Sequence, residues 1–492
     1  MDFRSYVAKF NANDEECYKQ LIPNEKALDF LLENAPRLTC PDEVIEETFA
    51  FRTWTLRKHF KQTEDGMVLT EFLPPVPWSS THNTINAPLF HHLNESRWFR
   101  NSDLLLDYIS LFLDGKANAF AYTTPALWEI LKFLKVTDNL DYAVKNVEKL
   151  EAYVRGFEAF QLKNGLFCSI DNQDAMEVSI SGTVVTDTGF FAPKGIRPTM
   201  NGYMYGAYVT MAEIERMCGN EEKAAAYTAK AEALKEHYNR AGFDGDFYKA
   251  IHIDFEALNG DVSTDDIPEE YNARELIGYI PFIYGLAGPE QMDCLKYLKD
   301  ETVFAGRMGL TTADISHPKF LYEFGHTCLW NGYIWPYASS QTITAAINVL
   351  ERGNPPHITY GDVYDFIRKY AEMHYRMVDG KKINHIDEVM SPNELVWTSR
   401  ELLKLLGWMP QKGGYERGKD YNHSTFIDLV IRGLIGVKED AETLTVEPHI
   451  QGIWPWFKLE NLTFRKKSYD IYYDEDGTHF GKGVGIVIEE RI

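Results

Sequence analysis

Apolar residues recur at the spacing of one helix face through most of the chain between residues 96 and 436. The segment PALWEILKFLKV shows the pattern clearly, with apolar side chains at positions i, i+3, i+4 and i+7, which are Leu127, Ile130, Leu131 and Leu134. Two junctions, EILKFLKVTDNLDYAVKNVEKL and AEIERMCGNEEKAAAYTAKAEAL, both contain a helix, a tight turn that ends in Asn, and a second helix entered through acidic residues. About a dozen such helices predict roughly six helical hairpins.

The segments on either side of this helical region have a different pattern of apolar and polar residues. Residues 1–95 combine a helical start (ECYKQL and NEKALDFLLENA) with two short strand-like runs around a DG turn and a Pro-rich connector. Near the C-terminus, short alternating runs such as FKLENLTF and SYDIYYDEDG predict strands, with Tyr469, Ile471 and Tyr473 on one buried face. The chain is therefore predicted to have three parts: an N-terminal wrap over 1–95, a helical body over 96–436 and a small β unit over 437–492.

A closed ring of hairpins and an open superhelix would both satisfy the number of helices. The linkers between the helices are long, irregular and rich in aromatic, amide and charged residues, whereas stacked-repeat proteins keep a regular spacing. Long loops of this kind usually carry function. We therefore expect a mainly α fold in which the hairpins close into a barrel and the loops gather at one end of it.

Composition excludes several classes of function. The 492 residues are 45% hydrophobic and 25% charged, no apolar run approaches the roughly 18 residues of a membrane span, and the first residues lack the layout of a signal peptide. These features predict a cytoplasmic protein with no membrane partner. The six cysteines form no CxxC pair, so we expect neither a zinc site nor a disulfide scaffold.

Charge and aromatic content narrow the choice of partner. The formal net charge of −23 disfavours nucleic acid, anionic membranes and polyanionic substrates, so a small neutral substrate is easier to accommodate. Aromatic residues make up 14% of the chain, and their flat faces suit carbohydrate rings as well as core packing. The oligomeric state stays open.

One loop between predicted helices, DNQDAMEVSISG over residues 171–182, concentrates the carboxylates of Asp171, Asp174 and Glu177. The simplest interpretation is a solvated acidic loop. Apolar neighbours argue against it, because solvated loops rarely surround their carboxylates with such side chains. These neighbours are Met176, Ile180, Phe190 and Phe191.

A second pair of carboxylates, Asp387 and Glu388, follows a long predicted helix in the stretch HIDEVMSP. Taken alone, this pair is most simply the acidic start of the next helix. In a third stretch, HTCLWNGYIWPYASSQT, Trp330 and Trp335 alternate with polar residues at a helix entry, as in a sugar subsite. In a fourth stretch, KDYNHSTFIDLVIRGLIG, His423 is either a substrate-binding residue or a core residue that caps the helix.

Carboxylates in two separate loops with an aromatic platform between them are what glycoside hydrolysis requires. One carboxyl stays protonated and donates to the leaving oxygen, while the other is ionised and activates water. Burial beside apolar groups would raise the pKa of the acid, whereas hydrogen bonds and solvent would keep the base charged. At a separation of roughly 6.5 to 9.5 Å between the carboxyls, a water fits and the configuration inverts.

The order of QDAMEVSISG, IRPTMNGYMYG, LWNGYIWP, DEVMSP and KDYNHSTFIDLVIRGLIG resembles the (α/α)6-barrel glycosidases related to glycoside hydrolase family 63 and the mannosylglycerate hydrolase-like group. The resemblance begins near Phe51 and includes the C-terminal strands. It implies an (α/α)6 toroid with a short N-terminal wrap and a small C-terminal β unit. It also implies an inverting exo-glycosidase acting on α-linked small oligosaccharides or glycosides, without cofactor or metal. Asp174 would be the general acid and Glu388 the general base.

The same resemblance assigns sugar contacts to Trp330 and Trp335. We expect further substrate-binding residues in the same stretches and in the wrap and the helix after it. They are Arg52, Trp54, His91, His92, Arg97, Trp98, Glu177, Arg197, Asn201, Asn331, Gln341, Asp387 and His423. Trp78 is also expected near the pocket, although packing of an irregular surface segment explains the residues of the wrap equally well.

The chain departs from the family pattern at several points. Many relatives have Trp-Arg-Gly-Pro where this chain has Trp330-Asn331-Gly332-Tyr333, so a substrate-contacting arginine is missing and the sugar preference does not transfer. The large N-terminal β-sandwich of family 63 proper is absent. Glu177 is a rival for the role of acid, and Asp387 for that of base.

Two other functions remain open on this scaffold, because a fold does not fix an activity. One is a barrel that binds sugar without hydrolysing it. The other is a sugar epimerase or lyase that uses histidines such as His91, His92 and His423.

Overall fold

The computed structural model of the chain describes residues 1–186, 189–322 and 326–491. Helix accounts for 44% and strand for 13% of it. The helices are α1 (Phe3–Ala12), α2 (Asn24–Asn34), α3 (Glu43–Leu56), α4 (Leu89–Ser96), α5 (Leu106–Leu113), α6 (Leu127–Val136), α7 (Leu140–Lys145), α8 (Val147–Phe157), α9 (Pro198–Met217), α10 (Glu221–Gly242), α11 (Ile280–Tyr284), α12 (Pro336–Arg352), α13 (Tyr360–Glu372), α14 (Thr398–Leu405) and α15 (Ile427–Val430). Within the described ranges, none of them combines the length and the apolar character that a bilayer crossing requires.

Six of these helices form a closed ring. Helix α4 packs on α6, α6 on α9, α9 on α11, α11 on α12, α12 on α15, and α15 again on α4. Helices α9 and α12 are buried on almost every side, whereas α10 packs against α9 and buries a single stripe of residues. The inner helices α9 and α12 thus bury nearly all of their residues, polar ones included, whereas the outer helix α10 is amphipathic.

Two glycines let neighbouring helices of the ring approach closely. A Cβ atom added to Gly202 would lie 3.0 Å from Cγ2 of Ile280, and one added to Gly206 would overlap the ring of Tyr284. Since α9 and α11 meet at these positions, a larger side chain would force the two helices apart.

The strands are β1 (Arg37–Thr39), β2 (Phe60–Thr63), β3 (Gly66–Leu69), β4 (Cys168–Ser169), β5 (Val184–Thr186), β6 (Gly189–Phe191), β7 (Gly195–Ile196), β8 (Tyr375–Val378), β9 (Lys381–Asn384), β10 (Trp456–Phe464), β11 (Lys467–Asp474) and β12 (Gly485–Glu490). The largest sheet is antiparallel in the order β1-β10-β11-β12. Ile471 and Tyr473 are buried in it, and Tyr469 is partly buried. The N-terminal part of the chain therefore supplies an edge strand to the C-terminal β unit.

The N-terminal region departs from the prediction in one place. The run ECYKQL is irregular, and the first helix is instead α1. The DG turn does join two antiparallel strands, β2 and β3, with Thr63 paired to Gly66. Nearby, the Lys58 ammonium lies 2.7 Å from Asp14 and 2.6 Å from Asp420, and all three side chains are at most 3% exposed. This buried bridge fastens the start of the chain to the loop before α15.

Candidate active site

Loops from well-separated parts of the chain line one cavity of about 240 Å³. All four stretches that the sequence singled out contribute to it, together with the Pro-rich connector. The lining residues are Glu71, Phe72, Trp78, Ala87, Tyr122, Ala175, Glu177, His326, Cys328, Trp330, Trp335, Tyr337, Glu388, Lys412, Arg417, Tyr421 and His423.

The loop over residues 171–182 places its carboxylates in different surroundings. Ala175 has φ of 62° and Val178 has φ of 61°, so the backbone is left-handed on either side of Glu177. Such a conformation is rare for a β-branched residue and costs about 1–3 kcal/mol. With this backbone, Glu177 lines the cavity, while Asp174 does not.

Asp174 is 1% exposed, and both of its carboxylate oxygens are occupied by protein groups. The Thr123 hydroxyl donates to Oδ1 at 2.5 Å, and Arg197 Nε donates to Oδ2 at 2.7 Å. The Thr199 hydroxyl donates to Oδ2 as well. These contacts tie the loop to the start of α9 and hold the carboxylate among protein groups outside the cavity lining.

Glu177 has the electrostatic character of a proton donor. Burial raises the pKa of Glu177 to about 7, the negative charges of Glu388 and Asp171 act in the same direction, and Lys412 opposes them. The carboxyl is therefore protonated in mildly acidic solution and partly protonated near pH 7. A protonated carboxylic acid that lines a cavity can donate to a leaving group.

Glu388 is 4% exposed and lies between a cation and a thiol. Arg417 Nη2 donates to Oε2 in an ion pair, and the Cys328 thiol donates to Oε1 at 3.4 Å. Burial raises the pKa of Glu388 above its ordinary value, and the Arg417 guanidinium opposes this by favouring the ionised carboxylate. The contrast with Glu177 lies in this cation, because an Arg partner stabilises the charged form.

Asp387 holds the backbone of Glu388 in place. Its Oδ1 accepts the backbone N–H of Glu388 at 2.8 Å, and His385 Nε2 lies 3.3 Å from Oδ2. Although burial opposes ionisation, the His385 hydrogen bond and the charge of Arg400 hold the pKa of Asp387 below its ordinary value. Asp387 is not among the residues that line the cavity, and its contacts are those of a positioning residue.

Aromatic rings form one wall of the cavity. The rings of Trp330 and Trp335 stack with centroids 4.4 Å apart and an angle of 18° between their planes. His423 lies 5.9 Å from Trp335 and 3.5 Å from the ring of Tyr421, measured between centroids. Burial lowers the pKa of His423 well below its ordinary value, so its imidazole is neutral.

Three residues predicted from the wrap and from α4 are buried, and their side chains form hydrogen bonds with the loop before α15. Arg52 donates to the hydroxyl and the carbonyl oxygen of Ser424 at 2.8 and 3.0 Å. His91 Nδ1 lies 2.8 Å from the Thr425 hydroxyl, and His92 Nε2 lies 2.6 Å from the carbonyl oxygen of Asn422. None of these three side chains lines the cavity; of the aromatic residues expected in the wrap, Trp78 does.

Seven further predicted residues also bond inside the protein and do not line the cavity. Trp54 donates to Asn11, Arg97 and Trp98 donate to Asp428, and Arg197 pairs with Asp174. Asn201 bonds the backbone of Phe167, Asn331 donates to the Tyr322 carbonyl, and Gln341 donates to the Tyr203 hydroxyl. Each uses its polar group within the fold.

Of the apolar neighbours named for the acidic loop, Met176 and Ile180 are buried, Phe191 is 53% exposed, and the side chain of Phe190 lies outside the described residues.

Several lining residues had no signal in the sequence analysis. Arg417 and Lys412 lie in the Gly-rich run QKGGYERG, which has no periodicity and no motif. Glu71 precedes the Pro-rich connector, where an isolated acid next to Phe72 could have been noticed. Cys328 was considered only in the search for a metal or disulfide pattern.

A family model described as the mannosylglycerate hydrolase MGH1-like glycoside hydrolase domain matches residues 81–424. A solved structure named sialidase is 30% identical to this chain, covers 100% of it with a TM-score of 0.86, and is matched over 43% of its own length. The present chain thus spans less than half of that protein. A sequence comparison with curated proteins gives no match.

Two more distant solved structures share the fold. A GH78 family rhamnosidase from Bacillus sp. GL1 is 13% identical, with a TM-score of 0.52 over 90% of this chain and 40% of its own. A GH63 mannosylglycerate hydrolase from Thermus thermophilus is 11% identical, with a TM-score of 0.52 over 78% of this chain and 99% of its own. The predicted fold, a mainly α (α/α)6 toroid with a C-terminal β unit, is confirmed.

Proposed function

Since the chain belongs to the MGH1-like glycoside hydrolase family, we propose that it is an inverting exo-glycosidase that removes α-linked sugars from small oligosaccharides or glycosides. The observation that carries this proposal is the presence in one cavity of two carboxyl groups with opposite electrostatic surroundings. Glu177 has a raised pKa and forms no ion pair with a cation of the described residues, whereas Glu388 is paired with Arg417. Such a division assigns the acid and the base of a glycosidase.

We assign the general acid to Glu177 rather than to Asp174. A donor must present its proton to the glycosidic oxygen, and the oxygens of Asp174 are occupied by Thr123, Thr199 and Arg197. Glu177 gives its proton to that oxygen as the bond from the oxygen to the anomeric carbon breaks.

Glu388 acts as the general base. Its carboxylate takes a proton from a water molecule while the water oxygen attacks the anomeric carbon from the face opposite the leaving group. Arg417 favours the ionised form of the carboxylate against the opposing effect of burial, and Asp387 fixes the backbone by accepting the hydrogen bond from the Glu388 N–H. The products are the free sugar, with inverted configuration, and the alcohol.

The cavity favours a single uncharged sugar unit. A volume of about 240 Å³ lies below the range of roughly 300 to 1,000 Å³ typical of drug-sized ligands, which favours cleavage at a chain end. Trp330 and Trp335 offer a stacking face, and the Trp330 indole N–H has no hydrogen-bond partner among the described residues. Arg417 also lines the cavity, but its guanidinium is engaged by Glu388.

A screen of purified protein against aryl glycosides and a disaccharide panel tests the proposal, with proton NMR of the first-formed anomer. We expect hydrolysis, and a product anomer opposite to that of the substrate. A product of retained configuration would refute the inverting mechanism. Calorimetric binding of a sugar without any product would indicate a sugar-binding barrel instead, and an unsaturated or epimerised product would indicate a lyase or epimerase.

A further inference from the structure

A third carboxyl group, that of Glu71, lines the same cavity. It lies just after β3, and Phe72 and Trp78 from the same segment also line the cavity. The family match begins only at residue 81. The wall formed by residues 71–78 is therefore a part of the site that family membership does not explain.

Glu71 is held in place by the loop that also carries His423. The Tyr421 hydroxyl donates to Glu71 Oε1 at 2.6 Å, and the backbone N–H of Asn422 donates to the Glu71 carbonyl oxygen at 3.0 Å. Glu71 as a whole is 6% exposed. Among the described residues, no group donates to Oε2 and no cation forms an ion pair with this carboxyl.

These contacts determine where the proton of Glu71 resides. An ionised carboxylate that is buried without a cation is costly, so the group takes up a proton instead. Oε1 accepts from Tyr421, which leaves the proton on Oε2. Burial raises the pKa of Glu71 to about 8; the Tyr421 hydrogen bond and Arg417 oppose the rise, and the charge of Glu388 adds to it.

The cation that acts on Glu71, Arg417, is already paired with Glu388. Further phenols lie within the electrostatic range of Glu71, and burial raises the pKa of each, so that they stay neutral and add no negative charge: Tyr108, Tyr122 and Tyr337. The carboxyl is therefore a neutral hydrogen-bond donor in a cavity that otherwise contains one ionised and one proton-donating carboxyl.

We propose that Glu71 donates a hydrogen bond from Oε2 to a hydroxyl of the sugar held in the cavity and thereby fixes which ring orientation is accepted. This inference rests on the proposed function and deepens it. The ligand is a neutral sugar with a free hydroxyl on the side that faces residues 71–78. Glu71 binds the substrate and transfers no proton.

Two substitutions at residue 71 separate the effect of hydrogen-bond donation from the effect of side-chain volume. Glu71→Gln keeps a neutral side chain with a donor, whereas Glu71→Leu keeps an approximate volume and removes the donor. Both are made in the Glu177→Gln background, so that sugar binding is measured by calorimetry without turnover and without titration of Glu177. The probes are D-glucose, D-mannose, D-galactose and L-rhamnose.

We expect Glu71→Gln to retain affinity for the bound sugar within about threefold at pH 7, where the parent carboxyl is protonated and donates in the same way. Glu71→Leu should weaken binding about five- to tenfold at every pH, the loss of one neutral hydrogen bond. The infrared difference spectrum between the parent and Glu71→Gln should show a protonated carboxyl at pH 7, a measurement that does not depend on sugar binding or on the folding of the Leu variant.

The inference is overturned if Glu71→Leu binds like the parent, if Glu71→Gln weakens binding as much as Glu71→Leu, or if the infrared band is that of a carboxylate. In those cases the proposed function stands as long as the wild-type protein hydrolyses a glycoside. If the wild-type protein neither binds nor hydrolyses any sugar, the proposed function and this inference fail together.

Discussion

Neutralising Glu177 and neutralising Asp174, two of the three carboxyls in the loop over residues 171–182, should have opposite effects on the stability of the protein. The pKa of Glu177 rises from 4.5 to about 7 on folding, and a change of one pKa unit corresponds to 1.36 kcal/mol, so the difference is worth up to about 3 kcal/mol. Between these pH values the folded protein keeps a proton that the unfolded chain releases. The stabilising contribution is complete below pH 4.5 and is lost as the pH rises through 7. Above pH 7, Glu177→Gln should therefore be more stable than the wild type, by at most that amount.

Asp174→Asn should act in the other direction. The carboxylate lies 2.7 Å from Arg197 Nε, both side chains are at most 2% exposed, and removal of one partner of a buried ion pair costs about 3–5 kcal/mol. Asp171 and Glu275 also favour the charge of Arg197, which places the expected loss near the lower end, at about 3 kcal/mol.

Urea denaturation at pH 8 measures both free energies, and steady-state kinetics with aryl glycosides measures catalysis. Glu177→Gln should lower kcat by roughly 10²- to 10⁴-fold, with a much smaller loss for a dinitrophenyl leaving group, which needs little protonation. Asp174→Asn should keep most of its activity per folded molecule, with no dependence on the leaving group. If Asp174→Asn showed the larger, leaving-group-dependent loss, Asp174 would be the acid and the reasoning would be refuted.

Three other substitutions give independent checks. Arg417→Met leaves Glu388 buried without a cation, which raises its pKa, so the acidic limb of the profile of kcat/KM against pH should move to higher pH; an unmoved limb would contradict the role of the ion pair. Methyl methanethiosulfonate should inactivate the enzyme slowly through Cys328, whose buried thiol has a raised pKa, and Cys328→Ala should resist the reagent, as followed by intact mass and residual activity. Lys58→Met removes the cation paired with Asp420, while Asp14 keeps its ion pair with Lys419, and urea denaturation should show a loss near the lower end of the cost of a broken buried pair, about 3 kcal/mol.

The ring of helices could be predicted because burial leaves a direct mark on sequence. The outer helix α10 has one buried apolar stripe and a polar face, whereas the inner helix α9 carries small, apolar and aromatic residues over most of its length. The irregular run after α1 was mistaken for helix because six residues with suitable spacing do not make a helix without packing partners.

The site could be predicted only in part. Asp174 and Glu177 are three residues apart in a loop, and their different surroundings depend on the left-handed backbone at Ala175 and Val178, which no propensity requires. Arg52 and His91 are polar residues in an apolar segment, a pattern that a buried hydrogen-bond network and a binding site share. Distinguishing the two requires the positions of their partners.

The pairing of β1 with β10 joins Arg37 to Glu460, nearly the whole chain apart in sequence. During synthesis, the first strand must wait for its partner until residues 456–464 have left the ribosome, and contacts of this separation form slowly. Helix α3 and then the wall at residues 71–78 follow β1 in the chain, and Tyr421 and Asn422, which hold that wall, are also made late. Helix α15, which closes the ring of helices, follows Tyr421 and Asn422 in the chain, so the ring and the cavity are completed at the same stage of synthesis, before strand β10 is made.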